Sequence, residues 1–128
     1  MIEPNKSQPH IIRSVAAPTS SYVAGNVFGI DEHNSISLLV RYTKGDETSL
    51  QVKVEISSDA GTTYDQETAE SVSGGTSTVS LLERSFSATG NYWVIIYPIK
   101  GDIIKVSTKA TGGTPTGTVG ISCIGSWV

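Results

Sequence analysis

The chain has 128 residues, 38% of them hydrophobic, which is enough for one domain with one core and too little for a second. Val, Ile, Leu and Gly are abundant and about a quarter of the residues are Ser or Thr, a composition that favours pleated strands and tight turns and predicts an all-β domain. The 9 basic residues are outnumbered by 12 acidic ones, and no stretch approaches the roughly 18 apolar residues of a membrane span, so we expect neither nucleic acid nor membrane as a partner.

The beginning of the chain is rich in proline and polar residues, and its apolar patch consists only of Ile11 and Ile12. This pattern predicts an extended arm over residues 1–20 and a single β-sandwich domain over residues 21–128. Ile11 and Ile12 are the natural anchors if the arm clasps a neighbouring subunit. The alternative is that the arm folds back on its own sandwich as an edge strand.

Two strand pairs give the strongest local signals. Apolar residues alternate with polar ones over residues 35–43 and again over residues 49–57, which indicates strands with one buried face. Between them lies a Lys-Gly-Asp turn, in which Gly45 is placed for the positive φ of a hairpin. A second Lys-Gly-Asp turn, at residues 100–102, follows another apolar run. The sequence therefore predicts two similar hairpins in packed sheets.

The remaining segments contain short apolar runs separated by polar, glycine-rich turns. Together they predict about eight strands with turns at intervals of roughly ten residues, which is typical of a sandwich or a small barrel. We expect an antiparallel β-sandwich, for which a jelly roll is one candidate topology. A single cysteine, Cys123, lies in an apolar run and is expected to be a small buried side chain in a reducing compartment.

The stretch "SSDAGTTY" indicates a tight corner between strands, in which Asp59 accepts backbone N–H groups and Gly61 takes a positive φ. It resembles the Asp-box, Ser-x-Asp-x-Gly-x-Thr-Trp, matched here by Ser57, Asp59, Gly61 and Thr63, with Tyr64 in place of the tryptophan. The resemblance implies a structural corner, because the box is remote from catalysis in the families that carry it. Those families usually repeat it, and a single copy does not support a sialidase-like propeller.

No arrangement typical of an enzyme or a cofactor site is found. "GISCIG" does not have the Gly-x-Ser-x-Gly spacing of a nucleophile elbow, and "TGGTPTG" lacks the Gly-Lys-Ser/Thr ending of a phosphate loop. Asp31, Glu32 and His33 could begin a metal site, but His10 is the only other imidazole, and a solvated turn is the favoured interpretation. We expect no catalysis, no cofactor and no metal.

The aromatic residues offer an alternative function. Tyr64, Trp93, Tyr97 and Trp127 could form an exposed platform for sugar rings or for a partner protein. However, the strand that carries Trp93 and Tyr97 is apolar on both faces, which is typical of a covered strand, and core packing is the favoured interpretation. Trp127 is a candidate partner contact together with Ile11 and Ile12.

The segment from Ser35 to Tyr64 is similar in style to small virion proteins of tailed bacteriophages: an apolar strand, a Lys-Gly-Asp turn, an alternating strand and then the Asp-box-like corner. This resemblance implies a non-enzymatic protein of the capsid, neck or tail, and capsid decoration is the role we expect. Such a protein would bind other virion proteins as a homo-oligomer and reside in the virion after assembly in the host cytoplasm. A carbohydrate-binding module is the rival from another class.

Overall fold

The fold was obtained as a computed structural model, which describes residues 9–30, 33–66, 68–81, 83–99 and 101–127. All regular secondary structure in these ranges is β-strand. The strands are, in chain order, β1 (His10–Ala16), β2 (Val23–Ala24), β3 (Phe28–Gly29), β4 (Ser35–Thr43), β5 (Ser49–Ser57), β6 (Asp65–Gln66), β7 (Thr68–Ser73), β8 (Thr76–Leu81), β9 (Glu83–Phe86), β10 (Gly90–Ile96), β11 (Ile103–Thr111) and β12 (Thr118–Ser126).

The strands form two sheets and a separate hairpin. Sheet A has the order β1-β12-β4-β10, and sheet B has the order β2-β11-β5-β6, with β3 also paired to β11 and β9 to β5. Strands β7 and β8 pair only with each other among the described residues. Every pairing is antiparallel. The predicted all-β antiparallel sandwich is confirmed, with ten strands in its two sheets.

The alternation predicted in the two long central strands is the basis of the core. In β4 the side chains of Ile36, Leu38, Val40 and Tyr42 are buried, and β5 buries Leu50 and every second residue after it. These residues join those of β10, β11 and β12 in one apolar cluster between the sheets. A fully buried Val, Leu or Ile contributes roughly 1.5–3 kcal/mol, so this cluster supplies most of the favourable free energy of folding.

The two Lys-Gly-Asp turns do not close hairpins, and this prediction was wrong. β4 lies in sheet A and β5 in sheet B, and β10 and β11 are divided in the same way. The turns therefore cross the core, and the similar segments pair with each other, β4 with β10 and β5 with β11. Gly45 is not among the glycines with positive φ. Glycine is required there by space, because a Cβ atom would lie 2.3 Å from the backbone nitrogen of Gly117.

The predicted arm is also corrected by the structure. Residues 10–16 form β1, which pairs with β12 at the edge of sheet A, so a domain boundary at residue 20 does not separate an arm from the sandwich. Ile12 is fully buried in the core of its own chain and is not available to a partner. The edge-strand alternative therefore holds for this part of the segment. Residues 1–8 lie outside the described residues.

Candidate interaction surface

The face of sheet A that points away from the core is mainly apolar. The strand register places one row of side chains across the four strands, with Trp93 beside Leu39, Leu39 beside Ser122 and Ser122 beside Ile11. Four of its apolar side chains are well exposed: Ile11 by 59%, Val15 by 69%, Trp93 by 60% and Ile95 by 65%. We call this surface the outer face of sheet A, and its apolar members are Ile11, Val15, Leu39, Trp93, Ile95 and Ile124.

Two open depressions lie on this outer face and share Arg41 and Ser122. One has a volume of about 290 Å³ and is lined by Leu39, Trp93 and Ile124 among others. The second has a volume of about 310 Å³, and Ile11, Arg13, Val15 and Gly120 contribute to its lining. Because Arg41 borders both, a single ligand across the two depressions would meet an apolar surface with a cation in the middle.

The charge on sheet A is entirely positive. Its four strands contain two arginines, Arg13 and Arg41, and no Asp or Glu. Arg13 donates a hydrogen bond of 2.9 Å from its guanidinium to the carbonyl oxygen of Ala17. Arg41 is exposed and makes no ion pair or side-chain hydrogen bond among the described residues. The outer face of sheet A is therefore apolar and cationic in a chain whose net charge is −3.

Sheet B presents a different surface, on which Lys53, Glu55 and Lys105 form a cluster of opposite charges. Glu55 lies 3.6 Å from the Lys53 ammonium and 4.0 Å from that of Lys105. The Lys53 ammonium also lies 4.4 Å above the ring of Tyr22, whose hydroxyl donates to Glu83. Partial burial, together with the Glu83 carboxylate, raises the pKa of Tyr22. Opposite charges that lie beside one another are typical of a solvated face, and the contrast with sheet A, whose strands contain no Asp or Glu, distinguishes sheet A as the candidate site.

The "SSDAGTTY" corner has the geometry of a structural turn. The Asp59 carboxylate accepts hydrogen bonds from the hydroxyl of Ser57 and from both the backbone N–H and the hydroxyl of Thr63. These bonds, those from Thr63 first, lower the pKa of Asp59 to about 2. Gly61 has the predicted positive φ, +92°, and its N–H donates to the Ser57 hydroxyl. A Cβ atom at Gly61 would lie 3.3 Å from the Tyr64 hydroxyl, so the Tyr64 side chain does lie against the turn.

A buried carboxylate, Glu47, was not anticipated from the sequence. Its side chain is fully buried and accepts hydrogen bonds from the hydroxyl of Tyr42 and from the backbone N–H groups of Gly45, Thr116 and Gly117. Burial alone would raise the pKa of Glu47, but these donors lower it to about 2. Because all its donors belong to the protein itself, Glu47 joins the first Lys-Gly-Asp turn to the loop before β12 and has a structural role.

The structure does not bring the aromatic residues and the candidate partner contacts together at one site. Trp93 and Tyr97 are each 60% exposed, so the favoured interpretation that they pack in the core was wrong. The reason is that no described element covers the outer face of sheet A, on which Ile11 and Ile95 are exposed as well. Tyr64 instead lies under the Lys105 ammonium, on sheet B. Trp127, 58% exposed, follows the end of β12.

Within the described ranges, no three His, Cys, Asp or Glu side chains come together as a metal site. Two of the residues weighed for such a site, Asp31 and Glu32, lie outside those ranges. The His10 ring packs against Phe28 at 5.0 Å, and the His33 ring lies beside Gly125. The described part of the chain also contains no helix with the length and apolarity that a membrane span requires.

The chain is thus an antiparallel β-sandwich with one apolar, cationic sheet face. Among solved structures it is similar to the SPBc2 prophage-derived protein YomS, with a TM-score of 0.54 and 18% sequence identity over 98% of this chain and 96% of that one. At this identity the likeness shows a shared fold. No protein-family model matches the chain, and no curated protein sequence matches it.

Proposed function

We propose that the protein is a non-enzymatic structural component of a bacteriophage virion that binds another virion protein through the outer face of sheet A. Within that class, capsid decoration is the role we favour, in which the protein binds the capsid surface and stabilises the particle. The phage assignment is supported by the likeness in fold to a prophage-derived protein and by the style of residues 35–64.

The observation that carries the proposal is the contrast between the two outer faces. Trp93 and Ile95 are about two-thirds exposed side by side with Leu39 and Ile124, whereas on sheet B Lys53 and Lys105 lie beside Glu55. Scattered exposed apolar residues are common on monomeric proteins, but a contiguous apolar patch rimmed by polar residues marks an interaction site. Trp is also the residue type most enriched among interface residues that dominate binding energy.

The perturbed titratable groups support a structural role. Glu47 and Asp59 have lowered pKa values because hydrogen-bond donors of the protein itself surround them. Burial raises the pKa of the Cys123 thiol to about 11, which leaves it protonated and unreactive near neutral pH. Each of these shifts has a cause within the fold, so none of them is evidence for a catalytic group.

Particle binding tests the proposal. Purified protein is added to phage particles that lack it, and the particles are sedimented and analysed for bound protein. We expect wild-type protein to co-sediment and Trp93→Ser to lose most of its binding at an unchanged melting temperature. Val27→Ser is the matched control, because Val27 is an exposed apolar residue outside this face. Wild-type protein that stays in solution, or equal binding by Trp93→Ser, would contradict the proposal.

A carbohydrate-binding module is the second candidate, and the exposure of Trp93 and Tyr97 favours it. Planar rings stack on the apolar faces of sugars, and the two residues are four positions apart, about 13 Å along an extended chain. Glycan screening decides between the two candidates. Millimolar or tighter binding of a glycan that is lost in Trp93→Ser, without any binding to particles, would replace the virion proposal with this one.

Homo-oligomer formation remains a prediction, and light scattering of the purified protein measures it.

A further inference from the structure

The two arginines of sheet A, Arg13 and Arg41, line the same depression on its outer face. Ile11 pairs with Ser122 and Arg13 with Ile121, so two residues of β1 span one step of β12 and Ile12 is the extra residue. Ile11 and Arg13 are two residues apart and lie on the same face of the strand on either side of Ile12. Ile12 enters the core, while Arg13 lines the same depression as Arg41. Arg13 therefore adds a second guanidinium to the outer face.

These guanidiniums have unused donors. Among the described residues Arg13 makes one side-chain hydrogen bond, to Ala17, and its Nε atom is shielded from solvent and has no acceptor. Arg41 has no acceptor within the same part of the chain. When a partner covers a guanidinium, the guanidinium loses its hydration. Only a hydrogen-bond acceptor offsets this cost, and the best acceptor is a carboxylate that is held by two parallel N–H bonds. A partner that covers this face must bring that carboxylate.

The other side chains of the outer face indicate which residues of the partner would lie beside its carboxylate. On one side of Arg41 lies the depression bordered by Trp93, Leu39 and Ile124, and on the other Ile11 and Val15 flank Gly120. Apolar side chains of the partner would fill these positions, since aromatic and aliphatic contacts around a central charge pair are the usual composition of a binding hot spot.

A second copy of the chain fits this face poorly. If two copies met through their outer faces of sheet A, their strands would bring four arginines and no Asp or Glu into the interface. Like charges in an interface oppose association, because neither is compensated when water is excluded. The occupant of the outer face of sheet A is therefore not the same face of a second copy.

We infer that the outer face of sheet A binds a segment of a different protein that presents a Glu or Asp side chain between Arg13 and Arg41, flanked by apolar residues that lie against Trp93 and Ile11. This inference rests on the proposed function and specifies its partner. Specificity comes from the carboxylate, since an uncharged segment would leave both guanidiniums without acceptors.

A pair of model peptides tests the inference. The probes are a blocked pentapeptide, Ser-Ile-Glu-Val-Ser, and its counterpart with Gln in place of Glu, titrated to millimolar concentration into ¹⁵N-labelled protein. We expect the Glu peptide to shift the amide resonances of Gly120 and Ser122 and to bind about tenfold more tightly than the Gln peptide. Arg41→Gln should remove that preference. Arg84→Gln is the matched control, because Arg84 is an exposed arginine on β9 of sheet B.

Arg41 is exposed, so its substitution should leave the melting temperature unchanged and keep the test interpretable. Equal affinity for the two peptides, no binding of either, or equal losses in Arg41→Gln and Arg84→Gln would overturn the inference. A dimer that dissociates in Arg41→Gln would also overturn it, because the face would then bind a second copy.

The particle assay separates this result from the proposed function. If wild-type protein binds particles and Arg41→Gln binds equally well, the inference fails and the virion role stands. If the peptide preference is found but wild-type protein never binds particles, the carboxylate site stands and the virion role fails.

Discussion

Glu47 offers the most quantitative test of how this fold is stabilised. Its carboxylate is fully buried and holds the backbone N–H groups of Gly45, Thr116 and Gly117 as well as the hydroxyl of Tyr42. In Glu47→Gln the amide group has one acceptor oxygen in place of two, and its NH₂ group faces donors. At least one buried N–H group then loses its acceptor, and leaving a buried donor unsatisfied costs about 1–3 kcal/mol.

The pKa of Glu47 gives an independent magnitude. It is about 2 in the folded chain against an ordinary value of 4.5. At about 1.4 kcal/mol for each tenfold change in proton affinity, the ionised carboxylate stabilises the fold by about 3 kcal/mol. Because the folded pKa is the lower one, this stabilisation is complete above about pH 4.5 and is lost as the pH falls towards 2.

Urea denaturation of wild type and Glu47→Gln between pH 7 and pH 3 measures both effects. We expect Glu47→Gln to lower the free energy of unfolding by about 3 kcal/mol at pH 7, with a difference that shrinks on acidification. Tyr42→Phe removes one donor to the same carboxylate and should cost about 2 kcal/mol. Asp46→Asn is the control, because Asp46 is the exposed carboxylate next in sequence. A loss in Glu47→Gln no larger than that in Asp46→Asn, or one independent of pH, would refute the reasoning.

Three further predictions concern the corners and the thiol. Asp59→Ala removes the acceptor of the Thr63 bonds and should lower the melting temperature without changing partner binding; lost binding at an unchanged melt would make the corner a site. Gly101→Ala places a Cβ 2.2 Å from the Ser57 carbonyl oxygen and should cost about 1–3 kcal/mol in chemical denaturation, whereas Gly29→Ala meets nothing and should be nearly neutral. Native Cys123, which is buried, should react with a thiol reagent only as fast as the protein unfolds, and rapid labelling would contradict its burial.

The sequence predicted the parts of the fold that depend on regular alternation. β4 and β5 bury every second side chain over nine residues, so their period is unmistakable. β2, β3 and β6 have two residues each, too few for any period, and they exist only because neighbouring strands offer free edges. Their shortness is one reason why the sequence indicated about eight strands while the described residues contain twelve.

Other features depend on tertiary structure that local patterns do not encode. The turn at Gly45 has the composition of a hairpin turn. The packing of the sheets decides whether such a turn joins neighbouring strands of one sheet or crosses the core. Trp93 shows the same limit of sequence-based prediction. An apolar strand can be covered by its own chain or by a partner, and the sequence pattern is the same in both cases. Glu47 stands in a polar turn, where nothing in the sequence indicates burial.

Site-specific photo-cross-linking on assembled particles tests the central claim most directly. A photoreactive phenylalanine analogue replaces Ile95, which is exposed beside Trp93 on sheet A, or Lys53, which lies on sheet B, and the particles are irradiated and their proteins identified by mass spectrometry. The account predicts a cross-link from position 95 to another virion protein, and none from position 53. Cross-links from position 53 alone, or protein that is not found on the particle, would contradict it.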